Sequence, residues 1–199
     1  MTTGGAGTPP RPIVVTVTGS ESTGKTTLAR DLASHFRTVW VPEYSRQHAD
    51  EKTAATGAPL DAGDVEPIAR GQIAAEDRGL AAAPGLLILD TDLVSTTIYA
   101  RHYYGSCPAW IDDAARARRA DLYLLCDIDV PWVSDPQRDR PHLREHMHAW
   151  ILRMRRMTFA RLLIGYLGLR QLLSMVGLTN AGGHAQTVRP LLAPMSEAS

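Results

Sequence analysis

A strand, a glycine-containing loop and a helix follow one another without interruption across residues 12–36, and this stretch constrains the fold more than any other. Residues 13–17 form an apolar, β-branched run typical of a strand. Residues 19–26, GSESTGKT, fit the pattern G-x-x-x-x-G-K-[ST] of a phosphate-binding loop. A large apolar side chain then recurs every fourth residue up to Phe36, which is helical spacing. The loop therefore lies in the strand-to-helix context in which it binds a nucleoside triphosphate.

The residue types in this loop suit a polyphosphate ligand. Glycines let the backbone bring successive N–H groups to the phosphate oxygens, and the N-terminus of the following helix adds free N–H groups and a positive dipole end. Lys25 is expected to reach the β- and γ-phosphates, and Thr26 to place its hydroxyl on Mg²⁺. We predict ATP and Mg²⁺ as cofactors. The predicted nucleotide-binding residues are Gly19, Ser20, Glu21, Ser22, Thr23, Gly24, Lys25, Thr26 and Thr27.

Composition narrows the class of protein. The 199 residues have a formal net charge of +0, which argues against a dedicated nucleic-acid binder. Only two of the 21 basic residues are lysines, and one of them is Lys25, where the loop requires lysine. Cys107 and Cys126 have no metal or redox spacing, and no apolar run is long enough to span a bilayer. We expect a cytoplasmic protein with no nucleic-acid or membrane partner, and a homo-oligomer is left open.

Strand and helix patterns alternate along the chain. This alternation predicts an α/β protein with the P-loop NTPase fold, in which helices cover both faces of a parallel sheet. The polar residues 50–62, which include glycine and proline, are expected to form a loop or a broken helix. Domain boundaries are predicted as a disordered tail at 1–11, a P-loop domain at 12–180 and a poorly defined tail at 181–199. The predicted strands are 13–17, 38–42, 86–89 and 122–126, and the predicted helices are 27–36, 64–83, 94–104, 108–119 and one from 143 onward.

Acidic residues follow three of the predicted strands. Glu43, Asp90 and Asp127 should meet at one edge, because the carboxyl ends of parallel strands converge there. Asp90 follows four apolar residues and fits a carboxylate that holds Mg²⁺. Glu43 and Asp92 are both candidates for the carboxylate that binds an acceptor hydroxyl. Capping of the next helix is an equally good explanation for Asp92.

Arginines are concentrated in a short charged segment after the fourth predicted strand. Arg138, Arg140 and Arg144 lie in a proline-flanked stretch that we interpret as a lid. Guanidinium groups on a closing lid stabilise the charge that develops on a transferred phosphoryl group. Tyr44, Tyr99 and Trp132 are candidates for stacking on a flat ring, although packing in the core or at its rim is the more common role of such residues. Catalytic roles are therefore predicted for Lys25, Glu43, Asp92, Arg138 and Arg140.

These features favour a small-molecule kinase over other nucleotide-binding classes. A regulatory GTPase should carry an N-K-x-D motif after a late strand, and the sequence has none. An AAA-type motor would need a helical lid domain and arginine fingers, and 199 residues are too few for both. A non-catalytic ATP-binding regulatory module remains open, and it predicts nucleotide binding without turnover.

Four stretches together resemble the ribosylnicotinamide kinase domain found at the C-terminus of bacterial NadR proteins. They are GSESTGKTTL, VPEYSR, DTDLVSTTIYA and DLYLLCDIDVPWVSDPQRDRP, and they lie within residues 13–145. The resemblance implies transfer of the ATP γ-phosphate to the ribose 5′-hydroxyl of nicotinamide riboside in NAD salvage. Another nucleoside or deoxynucleoside kinase is the alternative. Full NadR proteins also carry a helix-turn-helix and an adenylyltransferase domain, and because no H-x-G-H motif occurs we expect the kinase unit alone.

The family pattern also implies a fifth parallel strand, an adenine-contacting loop and a closing helix after the long helix that begins near 143. Residues 162–178 have only a weak strand pattern, and residues 180–199 are loop-like in composition. No adenine pocket is assigned from the sequence.

Overall fold

The strands of the described residues form one parallel five-stranded sheet. The computed structural model describes residues 11–132, 144–155 and 161–164, with side chains described as far as residue 151. The strand order is β2-β3-β1-β4-β5, and every neighbouring pair is parallel. The predicted α/β class is therefore confirmed. The strands are β1 (Ile13–Thr18), β2 (Val39–Val41), β3 (Leu86–Asp90), β4 (Leu122–Cys126) and β5 (Arg161–Ile164).

The fifth strand implied by the family pattern is present. β5 pairs with β4 and places Ile164 opposite Cys126 at the end of the sheet where the phosphate-binding loop begins. It starts one residue before the weakly patterned segment 162–178. The expected tails at 1–11 and 181–199, apart from Arg11, and the expected adenine loop lie outside the described residues.

In the described part of the chain, six α-helices connect and cover the strands. Their bounds agree with the predicted ones to within about three residues at most ends, apart from α2. A short 3₁₀-helix at Ala62–Asp64 leads into α3. The helices are α1 (Lys25–Phe36), α2 (Tyr44–Thr56), α3 (Val65–Ala82), α4 (Leu93–Tyr104), α5 (Ala109–Ala117) and α6 (Arg144–Arg155).

The prediction of a loop or broken helix at 50–62 was wrong for its first half. Residues up to Thr56 continue α2, and the helix ends at Gly57, which has a φ of 70° and donates its N–H to the Thr53 carbonyl. The glycine and proline of the segment all lie after the helix, so they end it and do not break it. Only Ala49 of α2 is fully buried. The helix therefore lacks the apolar periodicity by which a buried helix is found.

Helices cover both faces of the sheet, as predicted. On one face, Val15 and Val17 of β1 pack with Leu28 and Leu32 of α1. On the other face, Val14 of β1 packs in a second cluster, which also contains Leu87 and Leu89 of β3 and is flanked by Ala75 and Leu80 of α3. Neighbouring strand residues point to opposite faces, so β1 is buried on both faces from Val14 to Thr18, and its residues there are all β-branched valine or threonine.

Helices α4, α5 and α6 complete the second face. Leu93 of α4 and Ile111 of α5 pack against α3, and both are almost fully buried. Leu125 of β4 packs with Met147 and Ile151 of α6. This packing fixes the N-terminus of α4 just beyond the end of β3. The acidic residues 90 and 92 therefore lie between a strand end and a helix start.

Gly79 lets α3 lie directly against β2 and β3. A Cβ at this position would lie 2.7 Å from Val41 Cγ2 and 3.0 Å from Leu87 Cδ1. We expect Gly79→Ala to destabilise the protein by about 1–2 kcal/mol, because the overpacking outweighs the gain of roughly 1 kcal/mol in helix propensity. Urea denaturation measures the change.

Val41→Ala supplies the matched background for this test. Shortening Val41 removes the atom nearest to the added methyl group, so Gly79→Ala should cost less there than in the natural sequence. An equal cost in both backgrounds would contradict the close packing of α3 on β2.

Candidate active site

The phosphate-binding loop turns from β1 into α1 through residues with positive φ. Gly19, Ser22 and Gly24 have φ values of 153°, 55° and 81°. A Cβ on Gly19 would lie 2.9 Å from the carbonyl oxygen of Cys126 at the end of β4. Glycine at 19 is therefore required both by the backbone conformation and by the contact with β4.

Lys25 and the start of α1 form the cationic side of the loop. The Lys25 ammonium is buried and donates to the Ser20 carbonyl at 2.7 Å, and the Thr23 hydroxyl donates to the same carbonyl at 2.9 Å. Among the described residues no side chain caps the N-terminus of α1, and the first turn of α1 has no acidic residue. The positive end of the helix and Lys25 thus both lie at the loop, where an anion is stabilised.

Asp90 is the buried acid of the site. It ends β3 directly beside Val17 of β1 and is 1% exposed. Neither carboxylate oxygen has a hydrogen-bond partner among the described residues. Burial and the negative charge of Glu43 raise the pKa of Asp90 to about 6, while the nearby Thr26 hydroxyl and Lys25 ammonium oppose the rise. Buried carboxylate oxygens without partners are costly, and a bound cation would satisfy them.

Asp90 and Thr26 are suited to a hard cation whose other ligands come from a bound nucleotide and water. No group of three or more His, Cys, Asp or Glu residues with metal-binding geometry occurs in the part of the chain that the structure describes. One carboxylate and one hydroxyl, from Asp90 and Thr26, are what Mg²⁺ uses when phosphate oxygens and water complete its shell. The residues therefore fit Mg²⁺ bound together with a nucleotide.

A cavity of about 490 Å³ opens beside the loop. Ser22 and Lys25 line it from the loop, Glu43 lines it from the turn between β2 and α2, and Arg46 lines it from the first turn of α2. Glu43 accepts a hydrogen bond from the Ser45 hydroxyl at 2.9 Å, and Arg46 Nε lies 3.6 Å from its other carboxylate oxygen. A carboxylate and the phosphate-binding lysine thus face one space.

Two tyrosines of α4 form another wall of this cavity. The rings of Tyr99 and Tyr103 lie nearly parallel, with centroids 6.1 Å apart. The Tyr103 hydroxyl donates to Glu21 Oε1 at 3.1 Å, so this loop side chain also faces the cavity. Burial, followed by the charges of Glu43 and Glu21, holds the pKa of Tyr99 well above its usual value. Tyr99 therefore stays protonated and presents a flat, neutral surface.

The other two aromatic candidates lie elsewhere. The ring of Tyr44 packs on Gly71 of α3, where any Cβ would overlap it. The centroid of the Trp132 ring lies 6.0 Å from Cζ of Arg144. Neither belongs to the residues that line the cavity.

Asp92 caps a helix and does not line the cavity. It is the residue before α4, and its Oδ1 accepts from the backbone N–H groups of Val94 and Ser95 at 3.0 and 3.3 Å. Its Oδ2 accepts from the buried Tyr123 hydroxyl at 2.7 Å. Both oxygens are thus engaged within the fold, which is the capping alternative left open from the sequence. Asp127, the third acid after a strand, lies 3.5 Å from His148 of α6.

Arg144 was predicted with Arg138 and Arg140 as a lid arginine, and its contact with the phosphate-binding loop was not predicted. Its guanidinium donates to the Ser22 carbonyl at 2.9 Å and to the Val130 carbonyl at 2.8 Å. It thereby ties the start of α6 to the phosphate-binding loop. The signal available in the sequence was an arginine in the first turn of the helix after the charged segment. The predicted lid residues Arg138 and Arg140 lie outside the described residues.

The sheet order and the loop define the class of the protein. A parallel sheet of order 2-3-1-4-5, with a phosphate-binding loop between its central strand and the next helix, is the fold of a P-loop nucleotide-binding protein. No helix in the described part of the chain is long and apolar enough to cross a membrane. A family model described as an AAA domain matches residues 14–163, and the chain belongs to this family. A second model, described as a protein of unknown function, matches residues 136–199.

Curated relatives extend the resemblance noted from the sequence. Two are described as the trifunctional NAD biosynthesis/regulator protein NadR, from Escherichia coli (strain K12) and Salmonella typhimurium (strain LT2). Each is 31% identical over 121 residues, which cover 61% of this chain. The chain spans 30% of the length of these relatives. The predicted similarity to NadR is confirmed.

Solved structures agree with this similarity. A crystal structure of NadR in complex with NR has a TM-score of 0.62 and 27% identity, and the match covers 84% of this chain and 44% of that one. NadR in complex with NAD and AMP-PNP has a TM-score of 0.63 at 23% identity, covering 87% and 52%. Thymidylate kinase from Ehrlichia chaffeensis has a TM-score of 0.56 at 16% identity, covering 85% and 100%. The last two matches show the fold alone.

The cap at Asp92 generates a prediction about stability. Asp92→Ala removes the acceptors for two backbone N–H groups of α4 and for Tyr123, so it should lower the free energy of unfolding by about 1–2 kcal/mol. Asp92→Asn keeps an acceptor for the helix and should cost distinctly less. Urea denaturation compares the two variants, and an unchanged stability of Asp92→Ala would contradict the capping role.

Proposed function

We propose that this protein is an ATP-dependent nicotinamide riboside kinase, which transfers the γ-phosphate to the ribose 5′-hydroxyl and gives nicotinamide mononucleotide and ADP. The observation that carries the proposal is the shared cavity, which is lined by the phosphate-binding loop on one side and by Glu43 on the other. The similarity to NadR, one structure of which contains NR, supports the choice of acceptor. The product would enter NAD synthesis as part of a salvage route.

Glu43 is the group we assign to the acceptor hydroxyl. During transfer the hydroxyl oxygen bonds to the γ-phosphorus, the bond from that phosphorus to the β-phosphate oxygen breaks, and the hydroxyl proton passes to the Glu43 carboxylate and then to water. Ser45 and Arg46 hold this carboxylate at the cavity wall. A carboxylate within hydrogen-bond reach of the hydroxyl both orients it and accepts its proton. Asp92, whose oxygens are engaged by α4 and Tyr123, is assigned to the cap.

Lys25 and the loop backbone are assigned to the triphosphate. The Lys25 ammonium donates to the Ser20 carbonyl and can exchange this bond for β- and γ-phosphate oxygens. The first-turn N–H groups of α1, which no described side chain caps, supply further donors. These positive groups stabilise the charge that shifts toward the leaving phosphate.

Thr26 and Asp90 are the residues that would hold Mg²⁺. The ion would neutralise the phosphate charge during transfer. Arg138 and Arg140 stay predicted lid residues that stabilise the transferred group. Arg144, which follows these residues along the chain, binds the carbonyl of Ser22 in the phosphate-binding loop.

The tyrosine wall is assigned to the base of the acceptor. Tyr99 and Tyr103 present flat surfaces on α4, and the carboxylates of Glu21 and Glu43 lie on the same cavity. Aromatic faces and negative charge attract a cationic ring such as nicotinamide in its riboside. This arrangement favours a cationic nucleoside over a neutral one.

The central experiment is ATP turnover with Mg²⁺ against a panel of nucleosides. We expect stimulation by nicotinamide riboside and little by thymidine or deoxycytidine. Strong stimulation by a deoxynucleoside alone would move the assignment to deoxynucleoside kinase. ATP binding without turnover of any acceptor would favour a regulatory module.

Glu43→Gln and Asp92→Asn, measured side by side, test which carboxylate handles the hydroxyl. Glutamine keeps the shape of Glu43 but accepts no proton, so kcat should fall by about 10²-fold or more. Asp92→Asn should lower kcat by less than about ten-fold, because its role is to cap α4. A loss of only a few-fold in both variants would mean that neither residue is a base.

A further inference from the structure

A buried glutamine of α3 holds the turn that carries Glu43 through a hydrogen bond. Tyr44 is the first residue of α2, and its backbone N–H donates to Gln72 Oε1 of α3 at 3.1 Å. The N–H groups of a first helical turn have no partner within the helix, so Gln72 supplies the partner that the turn lacks. Gln72 is 3% exposed and also lines the cavity.

A chain of hydrogen bonds fixes the orientation of this glutamine. Gln72 Nε2 donates to Glu76 Oε1 at 3.1 Å, and Arg118 Nε donates to Glu76 Oε2 at 3.0 Å. Because Glu76 accepts the amide N–H₂ group, the amide oxygen of Gln72 is left facing Tyr44. Glu76 is 3% exposed, so the chain lies in the interior, where a single orientation is enforced most strongly.

Gly71, the residue before Gln72, lets the side chain of Tyr44 pack against α3. A Cβ on Gly71 would lie 1.9 Å from Cε1 of Tyr44, so the tyrosine ring rests directly on the backbone of α3. The backbone and the ring of Tyr44 are thus both held by consecutive residues of one helix. Glu43, one residue earlier, is carried by the same turn.

We propose that Gln72 is a positioning residue that holds the β2–α2 turn through Tyr44 and so aims Glu43 at the acceptor. The inference rests on the proposed function for its catalytic consequence, but the contact itself does not. Gln72 acts through the backbone of Tyr44, and Glu76 and Arg118 act through Gln72. The hydrogen-bond chain is thus the means by which α3, a core helix, sets the geometry of the acceptor carboxylate.

Two variants of the full chain test this role. Gln72→Leu removes the acceptor for the Tyr44 N–H at similar side-chain volume. The double variant Gln72→Glu with Glu76→Gln exchanges the amide and the carboxylate, so that residue 72 again accepts from Tyr44 and residue 76 supplies the N–H₂ group. Net charge and volume are preserved in the exchange. Gln47→Ala, an exposed glutamine of α2 that bonds to Glu51, is the matched control.

Amide hydrogen exchange of Tyr44 reads the contact independently of activity. In Gln72→Leu this amide should exchange about 3- to 10-fold faster, the worth of one hydrogen bond, and the exchanged pair should restore the natural rate. The Gln47→Ala control should leave it unchanged. Unchanged exchange in Gln72→Leu would overturn the inference, whether or not the protein phosphorylates nicotinamide riboside.

Kinetics then test whether the contact acts through Glu43. Gln72→Leu should lower kcat about ten-fold, change KM for ATP by less than about two-fold, and be rescued by the exchanged pair. In a Glu43→Gln background, Gln72→Leu should have almost no further effect, because the group that it positions is gone. A further ten-fold fall in kcat in the Glu43→Gln background would overturn the positioning role. So would a kcat of Gln72→Leu equal to that of the unmodified protein. If the unmodified protein phosphorylates no acceptor, the proposed function is wrong. The exchange rate of the Tyr44 amide would then be the remaining test of the contact with Gln72.

Discussion

Parallel pairing of β1 with β3 is the constraint on which the whole site depends. The register sets Val17 opposite Asp90, and the Thr91 N–H continues the ladder by donating to the Val17 carbonyl at 2.9 Å. The strand that leads into the phosphate-binding loop and the strand that carries the buried acid therefore end at the same level. β2 pairs on the far side of β3 in the same direction, so Glu43 reaches this edge as well. The convergence of acids is thus a consequence of register.

This convergence has an electrostatic cost. Burial and the charge of Glu43 raise the pKa of Asp90, while burial and the charge of Asp92 raise the pKa of Glu76 to about 7. A raised carboxyl pKa means that the ionised form is less stable in the folded protein than in water. Apolar residues would fill these positions at lower cost. The proposed roles explain these acids better: Asp90 would hold a cation, and Glu76 holds Gln72, which binds the Tyr44 N–H.

The fold was predictable because its signals are local. The four apolar strand runs, the loop motif and most helix spacings each lie within a few consecutive residues. The helical half of residues 50–62 was missed because α2 buries almost nothing and a helix without an apolar face has no periodic signal. Asp90 and Glu43 were predictable as candidates from their places after strands. The roles of Arg144 and Gln72 were not, because each depends on contacts with residues distant in sequence, Ser22 and Tyr44.

The ambiguity over Asp92 shows how a structural acid and a site acid come to look alike in sequence. An acid just beyond a strand end is also just before the next helix, where capping requires the same residue type. Asp92 fixes the start of α4. It thereby also fixes the position of Tyr103, which lies about three turns further along the same helix. Tyr103 donates to Glu21, a side chain of the phosphate-binding loop. The cap therefore sets the distance between the loop and the tyrosine wall, and Asp92 shapes the cavity without facing it.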